Sequence, residues 1–170
     1  RFIIDKGYSA HLKEAVYGLL KGAGIGPKDI TKAAFHGPDE NSHRGMGSKL
    51  GLELPQVEPP LFDVVGNTGT AFFMMILVAA LEKAKPGDLL LGAAYGDGAD
   101  AFLFRVTDKI DQGRDRRGIE RHLGSKMMLT NYGRYLRFRD LMEWESTPVP
   151  PPESSANVFY REGKALTRGY

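Results

Sequence analysis

Helical spacing of apolar residues is clearest near the start of the chain. Over residues 9–24, Leu12, Val16 and Leu20 recur one helical turn apart, and Ser9 is a suitable N-cap. Glycines at positions 22, 24 and 26 interrupt the pattern. The spacing therefore predicts an amphipathic helix over 9–24. Weaker patterns predict further helices over 42–51 and 131–144.

A long apolar stretch predicts the most buried helix of the chain. It follows Asn67-Thr68-Gly69-Thr70, runs over residues 71–84 and ends before Pro86-Gly87. Apolar side chains occupy all of its faces rather than one stripe. We therefore expect a central helix over 67–84 that is buried on every side, between two sheets.

Short apolar runs bounded by glycine or proline predict the strands. Four runs fit, over residues 32–36, 61–65, 89–95 and 101–106. The run over 89–95 is almost entirely apolar, which is typical of a strand inside a sheet. A short loop containing Gly96-Asp97-Gly98 separates it from the last strand, so a hairpin-like connection is predicted. The mixture of strands and helices indicates an α/β fold.

Composition and charge narrow the class of protein. The 170 residues are 42% hydrophobic, which is enough for a domain with a buried core. With 23 basic and 21 acidic residues there is no large basic excess, so we expect no nucleic-acid partner. No signal peptide is visible, and the longest apolar run, 71–81, is about half a membrane span. We expect a cytoplasmic protein with no membrane association.

Cysteine is absent, which excludes disulfides, a thiol nucleophile and thiolate metal ligands from this chain. We expect no metal site. The chain opens at Arg1 rather than at a methionine, so we expect it to be a piece of something longer.

The character of the sequence changes near residue 110. Residues 1–110 hold all of the predicted strands, and residues 111–145 are predicted to be a charged and helical extension. Four prolines within 148–152 mark 146–170 as a linker followed by the start of a further segment.

Two residues at element junctions are candidates for chemistry. His36 ends a short strand ahead of Gly37-Pro38, and Asn67 lies in Gly66-Asn67-Thr68-Gly69 before the long helix. Each also has a structural interpretation, since histidine is found in cores and asparagine caps helices. The loop Gly96-Asp97-Gly98 can bring backbone N–H groups close to an anionic oxygen.

The order of these motifs resembles the C-terminal half of the thiolase superfamily. A strand-terminal His is followed about thirty residues later by Gly-Asn-Thr-Gly before an apolar helix, then by Lys-Pro-Gly-Asp, an apolar strand and Tyr-Gly-Asp-Gly. The sequence resembles initiating-type ketoacyl synthases and, more closely, 3-hydroxy-3-methylglutaryl-CoA synthases of the archaeal and bacterial kind. The resemblance implies a thiolase-like fold, here a C-terminal βαβαβαββ half covering 1–110.

The resemblance also implies a function, Claisen-type condensation of acyl-CoA thioesters by a Cys-His-Asn site. His36 and Asn67 match the His and Asn, and Gly96, Asp97 and Gly98 match a turn that lends an N–H to an oxyanion hole. Acyl-CoA is the implied substrate, with no covalently bound cofactor. The Cys is expected from a missing N-terminal half or a partner chain, so this chain alone is expected to be inactive.

Some features leave alternatives open. Asp97 stands where such enzymes usually have a small neutral residue, so a lyase running a retro-aldol or retro-Claisen cleavage, with Asp97 as base, is one alternative. A non-catalytic scaffold subunit is another. The arginines of 114–121 are interleaved with acids, which favours a solvated loop over contact with the phosphates of coenzyme A.

The resemblance extends to assembly. It implies a homodimer or larger complex. The tail over 158–166 is similar to the lead-in of the small zinc-ribbon/OB-fold proteins that accompany such synthases, although an arm lying on a partner would fit equally well.

Overall fold

The structure, a computed structural model, describes residues 3–142. A π-helical turn over Ile3–Tyr8 leads into the first helix. The helices are α1 (Ser9–Ala23), α2 (Glu40–Lys49), α3 (Phe62–Val65), α4 (Thr70–Lys83), α5 (Ile119–Gly124) and α6 (Tyr132–Phe138). The strands are β1 (Lys32–Phe35), β2 (Leu89–Tyr95) and β3 (Ala99–Arg105).

Helix α1 forms over nearly the predicted range, but Ser9 is its first residue rather than its N-cap, a position that Tyr8 occupies. Leu12, Val16 and Leu20 are buried along one face, and the helix ends at Gly24, whose φ of 67° lies in the left-handed region that glycine tolerates best. This face packs against the sheet, with Phe35 and Leu91 in the same apolar cluster. The first layer of the fold is therefore α1 on one side of the sheet.

The sheet has three strands in the order β1-β2-β3. Strand β1 runs parallel to β2, with Phe35 opposite Ala93, and β2 runs antiparallel to β3. Strand β2 is thus the central strand, and residues 89–93 are buried, as its apolar sequence predicted. The predicted hairpin between β2 and β3 is confirmed.

Helix α4 covers the other side of the sheet. Phe72, Phe73 and Ile76 are buried against Ala34 of β1. The helix lies close to β2 because Gly92 has no side chain. A Cβ at that position would lie 3.1 Å from the ring of Phe73 and 3.1 Å from that of Phe104.

The outer face of α4 departs from the expectation of burial on every side. Within the described residues, Met74 is 55% exposed and Ala71 is exposed, while Met75 and Val78 are half-buried. The inner face alone is covered, because the described chain supplies one sheet to pack on it. No helix within residues 3–142 is long and apolar enough to cross a membrane.

The predicted strand over 61–65 is wrong. Residues Phe62–Val65 form a short helix, and Leu61, Phe62 and Val65 pack onto the α4 cluster instead of pairing in the sheet. Proline at 59 and 60 precedes this segment and supplies no N–H for strand pairing. Residues 3–110 therefore give the order αβαααββ, shorter than the βαβαβαββ expected for 1–110.

Contacts divide the chain into two compact units at Lys126. Segment 111–126 belongs to the first unit and contains α5. In the second unit, the helix predicted over 131–144 is confirmed as the shorter α6, with Asn131 accepting a bond from the Gly133 N–H at 2.8 Å. The predicted linker and further segment over 146–170, including the tail at 158–166, lie outside the described residues.

Candidate functional site

His36 follows the last residue of β1, at the carboxyl end of the two parallel strands. Its N–H donates to the carbonyl of Ala93 at 3.1 Å, so the sheet ladder extends one residue past Phe35. Its carbonyl accepts from the hydroxyl of Tyr8 at 2.9 Å. Ligands of α/β sheets commonly bind at this edge.

The His36 ring is shielded, and within the described residues neither of its nitrogens makes a hydrogen bond of regular geometry. Both ring nitrogens are buried, and the ring meets the edge of Phe72 at 5.9 Å between centroids. Burial lowers the pKa of His36, an effect that the neighbouring Asn67 side chain opposes. The ring is therefore neutral near pH 7, with one donor and one acceptor to offer.

Asn67 joins the His36 loop to the start of α4. Its Nδ2 donates to the carbonyl of Pro38 at 3.2 Å, and its Oδ1 accepts from the Gly69 N–H at 2.9 Å. Gly66 and Gly69 have φ of 72° and 64°, so this loop requires glycine at both positions. Asn67 is exposed. The structure thus brings His36 and Asn67 together.

The alternative interpretation of Asn67, as the N-cap of α4, does not match the structure. The residue at the N-cap position is Gly69, and the helix begins at Thr70. The Asn67 oxygen stabilises the loop one step earlier, by holding the Gly69 amide.

The loop Gly96-Asp97-Gly98 lies at the same edge of the sheet, directly after β2. The Gly96 N–H is taken by the carbonyl of Gly98 at 2.8 Å, so donation to a ligand would fall to the amides of Asp97 and Gly98. All three residues are exposed. Tyr95, just before them, contacts the ring of Tyr8 edge-on at 5.7 Å, which places the loop on the same side as His36.

Two buried polar residues beneath the site were not predicted. His43 on α2 is fully buried, stacks on Phe35 at 4.5 Å and bonds the Glu58 carbonyl at 3.1 Å through Nε2. The Glu58 carboxylate is 2% exposed and lies 2.8 Å from Lys83 and 3.6 Å from Lys32. The polar sequence around His43 predicts exposure, and only long-range packing shows otherwise.

Two side chains of the arginine-rich segment donate hydrogen bonds to main-chain carbonyls. Arg114 donates to the carbonyls of Glu82 and Ala84 at the end of α4, and Arg121 donates to the Asp115 carbonyl. An open cavity of about 380 Å³ lies among these arginines and is also lined by Glu82 and Glu120. Among residues 3–142, no three His, Asp or Glu side chains lie together where they could hold a metal ion.

Comparison with known proteins gives a consistent assignment. Residues 20–105 match the family described as 3-oxoacyl-[acyl-carrier-protein (ACP)] synthase III C terminal. The chain is 35% identical over 148 residues to a hydroxymethylglutaryl-CoA synthase of Methanopyrus kandleri, covering 85% of this chain and 42% of that protein. It is 42% identical over 118 residues to the enzyme of the same name from Methanococcoides burtonii, covering 68% of this chain and 34% of that protein.

The fold also has relatives among solved structures. The 3-oxoacyl-[acyl-carrier-protein] synthase III of Aquifex aeolicus superposes with a TM-score of 0.56 at 24% identity, over 61% of this chain and 34% of that one. At this identity the similarity establishes the thiolase-like fold alone. The chain spans less than half the length of the curated relatives it matches.

Proposed function

This chain belongs to the family of C-terminal domains of 3-oxoacyl-[acyl-carrier-protein] synthase III, a half of a thiolase-like condensing enzyme, and from that premise we propose that it supplies the His-Asn part of an acyl-CoA condensing site. The complete enzyme would join two acyl-CoA thioesters by Claisen-type condensation, as expected of a hydroxymethylglutaryl-CoA synthase. The named relatives support this choice of reaction.

The main observation behind the proposal is that both ring nitrogens of His36 are buried without a hydrogen bond of regular geometry. Buried nitrogens without partners are rare in folded proteins because each one costs free energy. Both nitrogens of His36 are in this state, at the edge of the sheet and next to Asn67. A substrate carbonyl oxygen placed there would give an N–H of the ring its partner.

The proposed chemistry follows from the donors around this position. As a carbon–carbon bond forms, negative charge develops on a carbonyl oxygen, and His36 and Asn67 would each donate a hydrogen bond to it. The first turn of α4, which Asn67 precedes, adds the positive end of a helix dipole. Since His36 is neutral, it could also move the proton that is lost from the attacking carbon.

Acyl transfer requires a nucleophile that this sequence does not contain. With no cysteine among its 170 residues, the chain would depend on a Cys from an N-terminal half or a partner chain. The exposed outer face of α4, around Met74, is where we place that half, because a second layer there would bury the helix on both sides. A homodimer or larger complex, with a zinc-ribbon/OB-fold companion, remains part of the proposal.

The test uses the complete enzyme with its Cys-containing half. We expect acetyl-CoA plus acetoacetyl-CoA to be condensed. We also expect His36→Ala to lower this rate by a factor of about one hundred to one thousand while acylation of the Cys continues. Acylation is followed by intact mass and by release of free CoA, and condensation is followed by the disappearance of acetoacetyl-CoA. Unchanged condensation in His36→Ala would remove His36 from the mechanism.

Cleavage of a β-hydroxyacyl-CoA without condensation would favour a lyase, and no turnover of either substrate would favour a scaffold.

A further inference from the structure

The backbone of His36 is held by a hydroxyl from a distant part of the chain. Tyr8 is 28 residues earlier, is 3% exposed, and donates to the His36 carbonyl at 2.9 Å. The His36 N–H in turn donates to Ala93, so the main-chain N–H and the main-chain carbonyl of His36 are both hydrogen-bonded. We infer that Tyr8 is a positioning residue that sets the direction of the His36 side chain, an inference that rests on the function proposed for His36.

Position 36 needs such a contact because it lies where the sheet ends. Strand β1 ends at Phe35. Residues Gly37 and Pro38, which follow His36, belong to no helix or strand. The His36 carbonyl is thus beyond the ladder. Within residues 3–142 neither ring nitrogen makes a hydrogen bond of regular geometry, and the Asn67 side chain is the polar neighbour of the ring. The regular hydrogen bonds of residue 36 are therefore those of its main chain, and Tyr8 supplies one of the two.

Tyr8 is buried against a second tyrosine. Its ring meets Tyr95 edge-on, and Gly7 brings the backbone so close to Tyr95 that a Cβ there would lie 2.8 Å from the Tyr95 hydroxyl oxygen. Because Tyr95 directly precedes the Gly96-Asp97-Gly98 loop, Tyr8 contacts the segments that carry two of the candidate groups. A shift of Tyr8 would move the His36 carbonyl relative to that loop.

The Tyr8 hydroxyl also keeps its proton. Burial raises the pKa of Tyr8 far above its ordinary value, and the nearby Asp39 carboxylate raises it further. The group that faces the His36 carbonyl is therefore a neutral donor throughout the pH range in which an enzyme is assayed. Its contribution to positioning is constant with pH.

The chain offers a matched control. The Tyr17 hydroxyl also donates to a main-chain carbonyl at 2.9 Å, that of Lys49, but it does so away from the site. Tyr8→Phe and Tyr17→Phe each remove one hydroxyl and one such bond. Only Tyr8→Phe should change the chemistry of His36.

The experiment measures condensation by the complete enzyme carrying Y8F, Y17F or H36A. We expect Y8F to lower kcat about tenfold to a hundredfold, the scale of a small misplacement of a reacting group, with KM nearly unchanged and Cys acylation intact. Y17F should keep the wild-type kcat. The imidazole ¹⁵N resonances of His36, assigned by their loss in H36A, should shift in Y8F and stay in place in Y17F.

The outcomes separate the two proposals. If H36A condenses normally, the proposed function fails, whatever Y8F does. If H36A is inactive while Y8F keeps kcat within twofold of Y17F and leaves the imidazole resonances in place, the positioning role is overturned. All assays are run where circular dichroism shows each variant folded. If Y8F is unfolded at the assay temperature, it is compared with Y17F and the wild type at a lower temperature at which all three are folded, and the same two readouts decide.

Discussion

The amine of Lys83, at the end of α4, lies 2.8 Å from Oε1 of Glu58, a carboxylate of which only 2% is exposed. Glu58 also bonds the sheet through its N–H, which donates to the Ala33 carbonyl at 2.9 Å, and its own carbonyl accepts from His43. One residue therefore connects the end of α4, strand β1 and helix α2, the three elements that surround the His36 loop.

Because of this connection, we expect the loss of Lys83 to lower the free energy of unfolding more than the loss of a neighbouring exposed lysine does. Lys83→Met leaves the Glu58 carboxylate buried with only the more distant Lys32, so the free energy of unfolding should fall by about 1–3 kcal/mol. Lys85→Met, at an exposed neighbouring lysine, should change it by less than about 0.5 kcal/mol. Urea denaturation of the complete protein measures both. Equal effects would mean that the contact between Lys83 and Glu58 contributes nothing.

Asn67 should serve both activity and loop structure. Asn67→Ala removes the acceptor for the Gly69 N–H and the donor to Pro38, and we expect roughly 1 kcal/mol less stability together with a loss of condensation. Asn67→Asp keeps an oxygen for Gly69 but removes the N–H donor, so it should retain more stability and still lose activity. A drop in melting temperature with full activity in both variants would leave Asn67 only a structural role.

Acid should destabilise the fold through its buried histidines. Burial lowers the pKa of His36 and, more deeply inside, of His43 below the ordinary 6.5. As pH falls below 6.5, the unfolded chain takes up protons before the folded chain does, so stability is retained above that pH and is lost toward the lowered pKa values. Each pKa unit corresponds to about 1.4 kcal/mol.

The measurement is the difference in unfolding free energy between pH 7.5 and pH 5.5. His43→Gln should make this difference smaller because one of the two groups is removed. His122→Gln, at an exposed position, is the control for the loss of a histidine from the surface. Comparing differences within each variant removes any loss of stability that is independent of pH.

Residues 1–170 produced alone should not behave as a stable monomer. Met74 is 55% exposed on α4, and Phe102 and Phe104 on β3 are 46% and 39% exposed, so apolar surface remains open on both elements. Light scattering should detect self-association, and co-expression with a Cys-containing half should suppress it. A monomer with a cooperative unfolding transition would instead support an independent module.

Local sequence predicts the helices and strands whose burial follows a regular pattern along the chain. Helix α1 and strand β2 were found because one is amphipathic and ends at Gly24, and the other is buried on both faces. The apolar run over 61–65 predicts a strand wrongly because a short apolar run has no period of its own, and packing against α4 decides its conformation.

Some residues of the candidate site were also predictable from local sequence, and others were not. The sequence pointed to His36 and Asn67 through their places at the ends of elements, and the structure brings them together. It gave no indication of Tyr8 or His43. Their importance comes from contacts 28 and 15 residues away in the chain, which no local pattern records.

The missing side chain at Gly92 has an evolutionary consequence. Gly92 allows α4 to approach the sheet, and His36 follows one of these layers while Asn67 precedes the other. A Cβ at this position would lie 3.1 Å from each of the rings of Phe73 and Phe104, so both rings would have to shift to accept even alanine. Alanine at this position should therefore be more frequent among descendants of this protein in which smaller residues replace Phe73 and Phe104.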